Sequence, residues 1–462
     1  MATKINVRSP FFTRTEFDNT LYKAELKLYV YNGTKLTDKG SPVYNLSKTN
    51  TINYTISGFS FKGISFEISE LVRDYLDVTF DGSYNSYNKW VRAEQFFYTT
   101  NTITTGTTTS VSASQLVDSA ASFSLSSDFG KYVKNESTGI ITLVEDVASS
   151  TSLDLVDNIF TVTNTPYTAG IIGLTEDHIA YEGYGYYKDG RNPQLSQPYL
   201  QSNKKIYRLQ DHNVRVPIDT DKAVSAVFRL KGQTVNSQTF TASQVSNAQV
   251  IYFNVGFNNA DTYEQRVKLD SGTVETSPLL KQYFGIENVG EVDEIYVSDG
   301  NKTEILKIIT EPCSIYQPYK VVFVNRFGVL QDLFFSLKSI ESITTTGETY
   351  KANNFNYTGD TTDLVTKRGN KYDSNKHQIT QYNKMGKESI TLNTGYLSED
   401  YNDVIEELML SEQVWLMATD SEEVLPVIPK TQNLTYKTSI NDRLVQYTID
   451  FDYAFDKINS VR

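Results

Sequence analysis

The chain has 462 residues, with 32 Tyr and 24 Phe against 2 Trp, 4 Met and 11 Pro, and a formal net charge of −12. That length allows roughly three ordinary domains, each able to bury a core. The charge and the lack of any Lys/Arg run exclude a phosphate-tracking stripe, and a single cysteine, Cys313, excludes an intrachain disulfide and a cysteine-based zinc site.

The N-terminus, "MATKINVRSPFF", lacks the apolar centre of a signal peptide, and no apolar run reaches the roughly 20 residues that span a bilayer. The expected place of synthesis and folding is a cytoplasm. In "AELKLYVY", Ala24, Leu26, Leu28 and Val30 alternate with polar or aromatic residues ahead of the turn "YNGTK", which predicts a hairpin. Ile64, Phe66 and Ile68 continue in strand register before Ser69, read as the cap of a short helix carrying Leu71, Val72, Tyr75 and Leu76. "TTNTITTGTTTS", residues 99–110, is Thr-rich with almost no apolar content and reads as a linker.

Residues 115–163 hold about five short strands between Ser/Thr-rich borders, the pattern of a small inserted β-barrel. The next stretch, 170–218, is rich in Tyr, Gly and Pro. There Tyr181, Tyr184, Tyr186 and Tyr187 alternate with Gly183 and Gly185, either as a packed loop or contact or as a stacking platform for sugars. From 222 to about 318, "AVSAVFRLKG", "AQVIYFNVGF" and "VDEIYVSDGNKTEILKII" predict a β-sandwich with a turn at "SDGN".

"YKVVFVNRFGVLQDLFFSLK" predicts a hairpin turning at "NRFG", followed by a polar loop. "LSEDYNDVIEELMLSEQVWLM", 397–417, carries the one long amphipathic helix. Ser398 is its candidate N-cap, its acids lie in the first turn and on the solvated face, and Tyr401, Val404, Ile405 and Leu408 form an apolar stripe. In the final strand Val445, Tyr447, Ile449, Phe451, Tyr453 and Phe455 alternate with polar residues, and "LTYKTSI" is expected to pair with it through "NDRL". The helix should hide its stripe on that sheet.

The expected fold class is therefore mainly β: a multidomain β-sandwich/barrel chain with a small inserted barrel, which the resemblance given below makes SH3-like, and a C-terminal antiparallel sheet crossed by one helix. Its expected divisions are 1–100 with 169–218, the insertion 101–168, a sandwich at 219–318, and an α+β domain at 319–462.

No constellation for chemistry emerges. His178, His212 and His377 lie far apart without metal-ligand spacing, and no Gly-x-Ser-x-Gly elbow, P-loop or dinucleotide fingerprint occurs. "DVTFDGSYN" at 77–85 has acids and amides for Ca²⁺ but lacks the distal Glu of an EF-hand loop. The expectation is no enzyme, no catalytic residue, no cofactor and no metal. Polar β surfaces with aromatic anchors suit contacts between protein copies, and Tyr181, Tyr184, Tyr186, Tyr187, Phe327, Trp415, Tyr447, Phe451 and Tyr453 are the candidate anchors.

Several stretches, "ATKINVRSPF", "ISELVRDYLD", "YEGYGYYKDGRNPQL", "VVFVNRFGVLQDLFF", "LNTGYLSEDYNDVIEELMLSEQVWL" and "LTYKTSINDRLVQYTIDFDYAFDKINSVR", resemble structural proteins from virions of crAss-like and related phages of Bacteroidetes. "LVDSAASF" and "GKYVKNESTG" resemble an SH3-like module of tailed-phage virions, and 320–462 is similar to tail-tube and distal-tail domains. The resemblance implies a ring, collar or tail-hub component of a short-tailed phage. Expected partners are copies of itself in a ring, other tail or portal proteins, and fibre or collar proteins. Phage DNA would pass without specific binding, no membrane would be involved, and the location would be the virion. The alternative expectation is a carbohydrate-binding, adhesin-type tail protein using the Tyr/Gly loop.

Overall fold

The computed structural model describes residues 3–14, 19–32, 39–56, 59–193, 197–210, 212–240, 250–256, 286–290, 292–312, 314–352, 355–356, 371–372, 374–418, 423–431 and 444–458. The chain is mainly β, with several antiparallel sheets. Cys313 and "LTYKTSI" lie outside the described residues.

The N-terminal sheet is built on Leu21–Tyr31, Lys89–Thr99 and Pro166–Tyr181, neighbours in antiparallel pairing. Tyr44–Lys48 completes the predicted hairpin with Leu21–Tyr31, and Thr3–Asn6 runs parallel to the end of Pro166–Tyr181. Ala24, Leu26 and Leu28 bury one face against Ile64, Phe66, Ile68 and Val72. The short helix Ser69–Arg73 is capped differently from the sequence expectation. Ile68 holds the cap position, Ser69 sits buried in the first turn, and Glu67 Oε1 accepts the Ser69 N–H at 2.9 Å.

The Thr-rich stretch is not a linker. Thr104–Thr107 pairs with Pro166–Ala169 and Ser110–Ser112 with Gln115–Val117, so β-branched threonines extend the sheet. The following strands enclose Leu116, Phe123, Val133, Val144, Leu153, Phe160 and Tyr167. They do not close into a barrel: among the described residues no sheet closes on itself. Thr108 carries the pairing one residue further, its N–H donating to Thr165 O and its carbonyl accepting the Asn164 N–H, and its hydroxyl donates to Val162 O. Strand Pro166–Tyr181 runs without interruption from this unit into the N-terminal sheet, welding the two.

A five-stranded sheet containing Lys205–Leu209, Ser225–Leu230, Gln233–Thr239, Glu294–Ser298 and Thr303–Glu311 faces a three-stranded sheet of Asn213–Asp219, Val250–Gly256 and Ile286–Gly290. Val216, Ile218, Phe228, Phe253, Val297 and Leu306 share one core, which makes a sandwich and draws 205–219 into it. At "SDGN", Asp299 Oδ1 accepts the N–H groups of Asn301 and Lys302.

The C-terminal sheet has seven strands, with Tyr319–Val324 and Leu330–Phe335 joined by the predicted Asn325–Gly328 turn. Gly328 takes φ +75°, and a Cβ there would meet the backbone of Glu182 and Gly183, so the turn needs glycine for two reasons. The helix is shorter than its sequence pattern, a 3₁₀ turn at Glu399–Tyr401 leading into Asn402–Leu410, because Ser411 is extended and Val414–Ala418 joins the sheet. Ser398 stands at the N-cap of that turn without a side-chain cap bond. Tyr401, Val404, Ile405 and Leu408 bury their stripe against Val445, Tyr447, Ile449 and Phe451, the expected helix-on-sheet layer.

The expected polar loop after the hairpin is instead a second, longer hairpin. Ile340–Lys351 pairs with Ile379–Ser398 along its whole length.

Candidate interaction arm and the junction that supports it

The 340–398 hairpin is the chain's most unusual surface. Strand Ile340–Lys351 is exposed at all 12 residues, and it forms one end of the seven-stranded sheet, so its outer edge has no neighbour among the described residues. Its Thr, Ile and Tyr residues fit an extended backbone without needing a core on either face. Cross-strand contacts hold the arm together: the Tyr350 and Tyr382 rings lie 5.7 Å apart, and the Ser342 and Ser389 hydroxyls 2.8 Å apart. Ile340, Ile343, Tyr350, Ile379 and Tyr382 all leave about half of their surface in water.

At the base of the arm Glu341, Glu388, Leu425, Tyr453 and Phe455 line an open groove of about 610 Å³. Lys457 crosses it to Glu388 Oε1 at 2.6 Å. Over 340–398 the chain carries seven Lys/Arg against six Asp/Glu, close to balance where the whole chain is acidic. The arm thus combines an edge without a neighbour among the described residues and exposed apolar side chains.

Two buried polar junctions fix the sheet that bears the arm. At the first, Asp332 accepts the Tyr84 hydroxyl on Oδ1 and the Arg215 N–H on Oδ2 at 3.0 Å. Lys320 Nζ lies 3.3 Å from the Tyr84 oxygen, and the Arg215 guanidinium sits 4.7 Å over the Tyr84 ring. Burial pulls Lys320 down to about 8 against the opposing attraction of Asp332. Burial, and then Asp332, push Tyr84 far above the ordinary phenol range. One residue comes from the N-terminal region, one from the sandwich and two from the C-terminal hairpin.

The second junction surrounds the helix. Glu407, which the amphipathic pattern places among solvated acids, is fully buried: it accepts the Ser202 hydroxyl and lies 3.6 Å from Arg326 Nε. Burial raises it to about 7. Arg8 donates to Leu410 O at the helix end at 3.1 Å, Tyr401 OH accepts the Tyr207 N–H at 2.9 Å, and Lys205 meets Asp400. The helix therefore covers the C-terminal sheet and also ties both other regions to it.

Most of the sequence-chosen anchors are taken up by these interiors. Tyr181, Tyr184, Phe327, Tyr447 and Phe451 are buried within the chain itself, and Trp415 packs against the core at the first junction. They offer no free face because each sits on the core side of its strand or turn. Tyr453 is half-buried beside Phe455 at the arm's base, Tyr186 is half-buried, and Tyr187 is fully exposed. The arm itself escaped the pattern search because neither of its faces is covered, so no apolar alternation marks it. The run "ITTTGETY" of β-formers was the available signal.

His178 is buried edge-on to Phe11, with both ring nitrogens lacking partners, and burial lowers it to about 4. His212 stacks on Phe334, and Asp81 of the 77–85 stretch accepts the Ser83 N–H at 2.9 Å. Among the described residues no three His, Cys, Asp or Glu side chains gather as metal ligands, and no helix is long and apolar enough to cross a membrane. Comparison with protein-family models and with curated proteins finds no match.

Proposed function

We propose that this chain is a non-enzymatic structural subunit of a short-tailed phage virion, joining copies of itself into a ring in the tail or connector through which the genome leaves. The observation that carries this reading is the arm, a 12-residue strand exposed throughout and, among the described residues, paired on one side only. Long free edges recruit further strands, and soluble monomers usually blunt them with Pro, Lys or a covering element. Here the strand contains no Pro, and its one Lys, Lys351, is its last residue. Net negative charge over the chain weakens adhesion to a passing phosphate backbone.

The test is light scattering and negative-stain microscopy of the purified chain, alone and mixed with its portal protein. Rings at multiples of 52.3 kDa are expected. Thr344→Lys with Thr346→Lys, both on the exposed strand, should shift wild-type assemblies toward monomer without lowering thermal stability. A wild-type chain that stays monomeric in both settings refutes the reading.

A second reading keeps one supporting observation. Phe12, Tyr186, Tyr187 and Arg191 line an open groove of about 750 Å³, an aromatic and polar surface that suits a sugar ring. Burial of Tyr181 and Tyr184 removes half of the expected platform. If the groove holds glycans, Tyr187→Ala loses at least tenfold in affinity on a glycan array, and equal signals from both proteins dismiss it.

A further inference from the structure

Strand Thr3–Asn6 meets the end of sandwich strand Asn213–Asp219 in a dry site. Lys4 Nζ contacts Asp219 Oδ2, with the lysine 3% exposed and the aspartate fully buried. The second carboxylate oxygen, Oδ1, accepts the backbone N–H of Asp221 at 3.0 Å. The ring of buried Tyr181 lies 5.6 Å from the lysine nitrogen. Asp221 Oδ2 is also buried and has no hydrogen-bond partner among the described residues.

Two ions taken out of water each lose several kcal/mol of solvation. Passing one proton from Nζ to Oδ2 leaves a neutral amine against a neutral acid, which burial favours. Burial already pulls Lys4 down to about 7. An amine lone pair held against a protonated carboxyl carbon is the starting arrangement for an amide, and fixed proximity supplies the entropy such a step otherwise needs.

We propose that Lys4 and Asp219 condense to an intramolecular isopeptide bond. Lys4 Nζ attacks Asp219 Cγ, and the Asp221 N–H, already on Oδ1, stabilises the negative charge that gathers there in the tetrahedral intermediate. Nζ then gives up a proton, the Cγ–Oδ2 bond breaks, and Oδ2 departs as water. One C–N bond forms, one C–O bond breaks, and no oxidant, reductant or co-reactant is consumed. The bond staples the N-terminal strand to the sandwich across 215 positions of sequence.

The experiment is the intact mass of the purified full chain in denaturant, with a tryptic map. The wild-type mass falls one water below the sequence mass, allowing for loss of Met1, and a branched peptide joins residues 4 and 219. Asp219→Ala and Lys4→Met each restore the full mass. A wild-type chain at its full sequence mass, with Lys4 acetylated under denaturing conditions, overturns the proposal. So does a mass deficit that persists in Asp219→Ala, since the water would then have left another site. Both wild-type readouts stand even if a variant fails to fold.

Discussion

Asp332→Ala lowers the unfolding free energy by about 3–5 kcal/mol, the range found when one partner of a buried charged pair is removed. The carboxylate serves three neighbours at once: it accepts the Tyr84 hydroxyl and the Arg215 N–H, and it offsets the burial of Lys320. Truncation leaves the Tyr84 hydroxyl and the Arg215 N–H without this acceptor and Lys320 without its opposing charge, and each such loss at a buried site carries a desolvation penalty. The loss shrinks as pH rises past about 8, because Lys320 then sheds its proton in the wild type as well. Adding Lys320→Met to Asp332→Ala recovers part of the loss, since no uncompensated ammonium remains. Urea unfolding of the single and double variants across pH measures both effects. A single variant within about 1 kcal/mol of wild type contradicts the junction's assigned role.

Glu407→Gln acts in the opposite direction, stabilising the fold by about 3 kcal/mol at pH 8 and by nothing near pH 4.5. The sign follows from the raised carboxyl. In the folded chain burial holds Glu407 near 7, against an ordinary value of 4.5 once unfolded. Below 4.5 both states carry the proton and no difference exists. Between 4.5 and 7 the folded chain binds more protons, so stability drains away as pH rises, and above 7 the loss is complete. Glutamine keeps the acceptor for Ser202 without the charge, and the Arg326 side chain, partly in water, is re-solvated at little expense. Denaturant midpoints measured for both proteins from pH 4.5 to 8.5 should diverge across that window. Parallel curves refute the assignment.

How much of this architecture could be read from residues alone varied with what each element buries. The 445–453 strand and the Tyr401, Val404, Ile405 and Leu408 stripe were legible because each has one dry face and one wet face, and they meet as that pattern requires. The Asn325–Gly328 turn was legible because its geometry demands particular residues. Glu407 was misassigned, since helical periodicity knows only the sheet beneath the helix, whereas Ser202 and Arg326 arrive from distant sequence to enclose its other side. The same applies to Tyr184, covered by the Arg8 guanidinium 4.8 Å above its ring. The arm failed to register for the opposite reason, having no covered side to imprint a pattern. Tyr181, Tyr184, Phe327, Tyr447 and Phe451, chosen as anchors, are interior because a mainly β chain with few tryptophans and methionines fills its cores with Tyr and Phe.

The placement of Thr3–Asn6 bears on the order in which the molecule can assemble during synthesis. Its ladder partners are His178–Tyr181, and its lysine reaches Asp219, so these early residues have no strand to pair with until residue 181 has been made, and their lysine has no carboxylate until residue 219. Such distant pairings close slowly, because chain entropy must be given up before any contact rewards it. The N-terminal segment is therefore a late arrival that seals the N-terminal sheet to the sandwich, and a nascent chain halted before residue 178 should leave it open to protease.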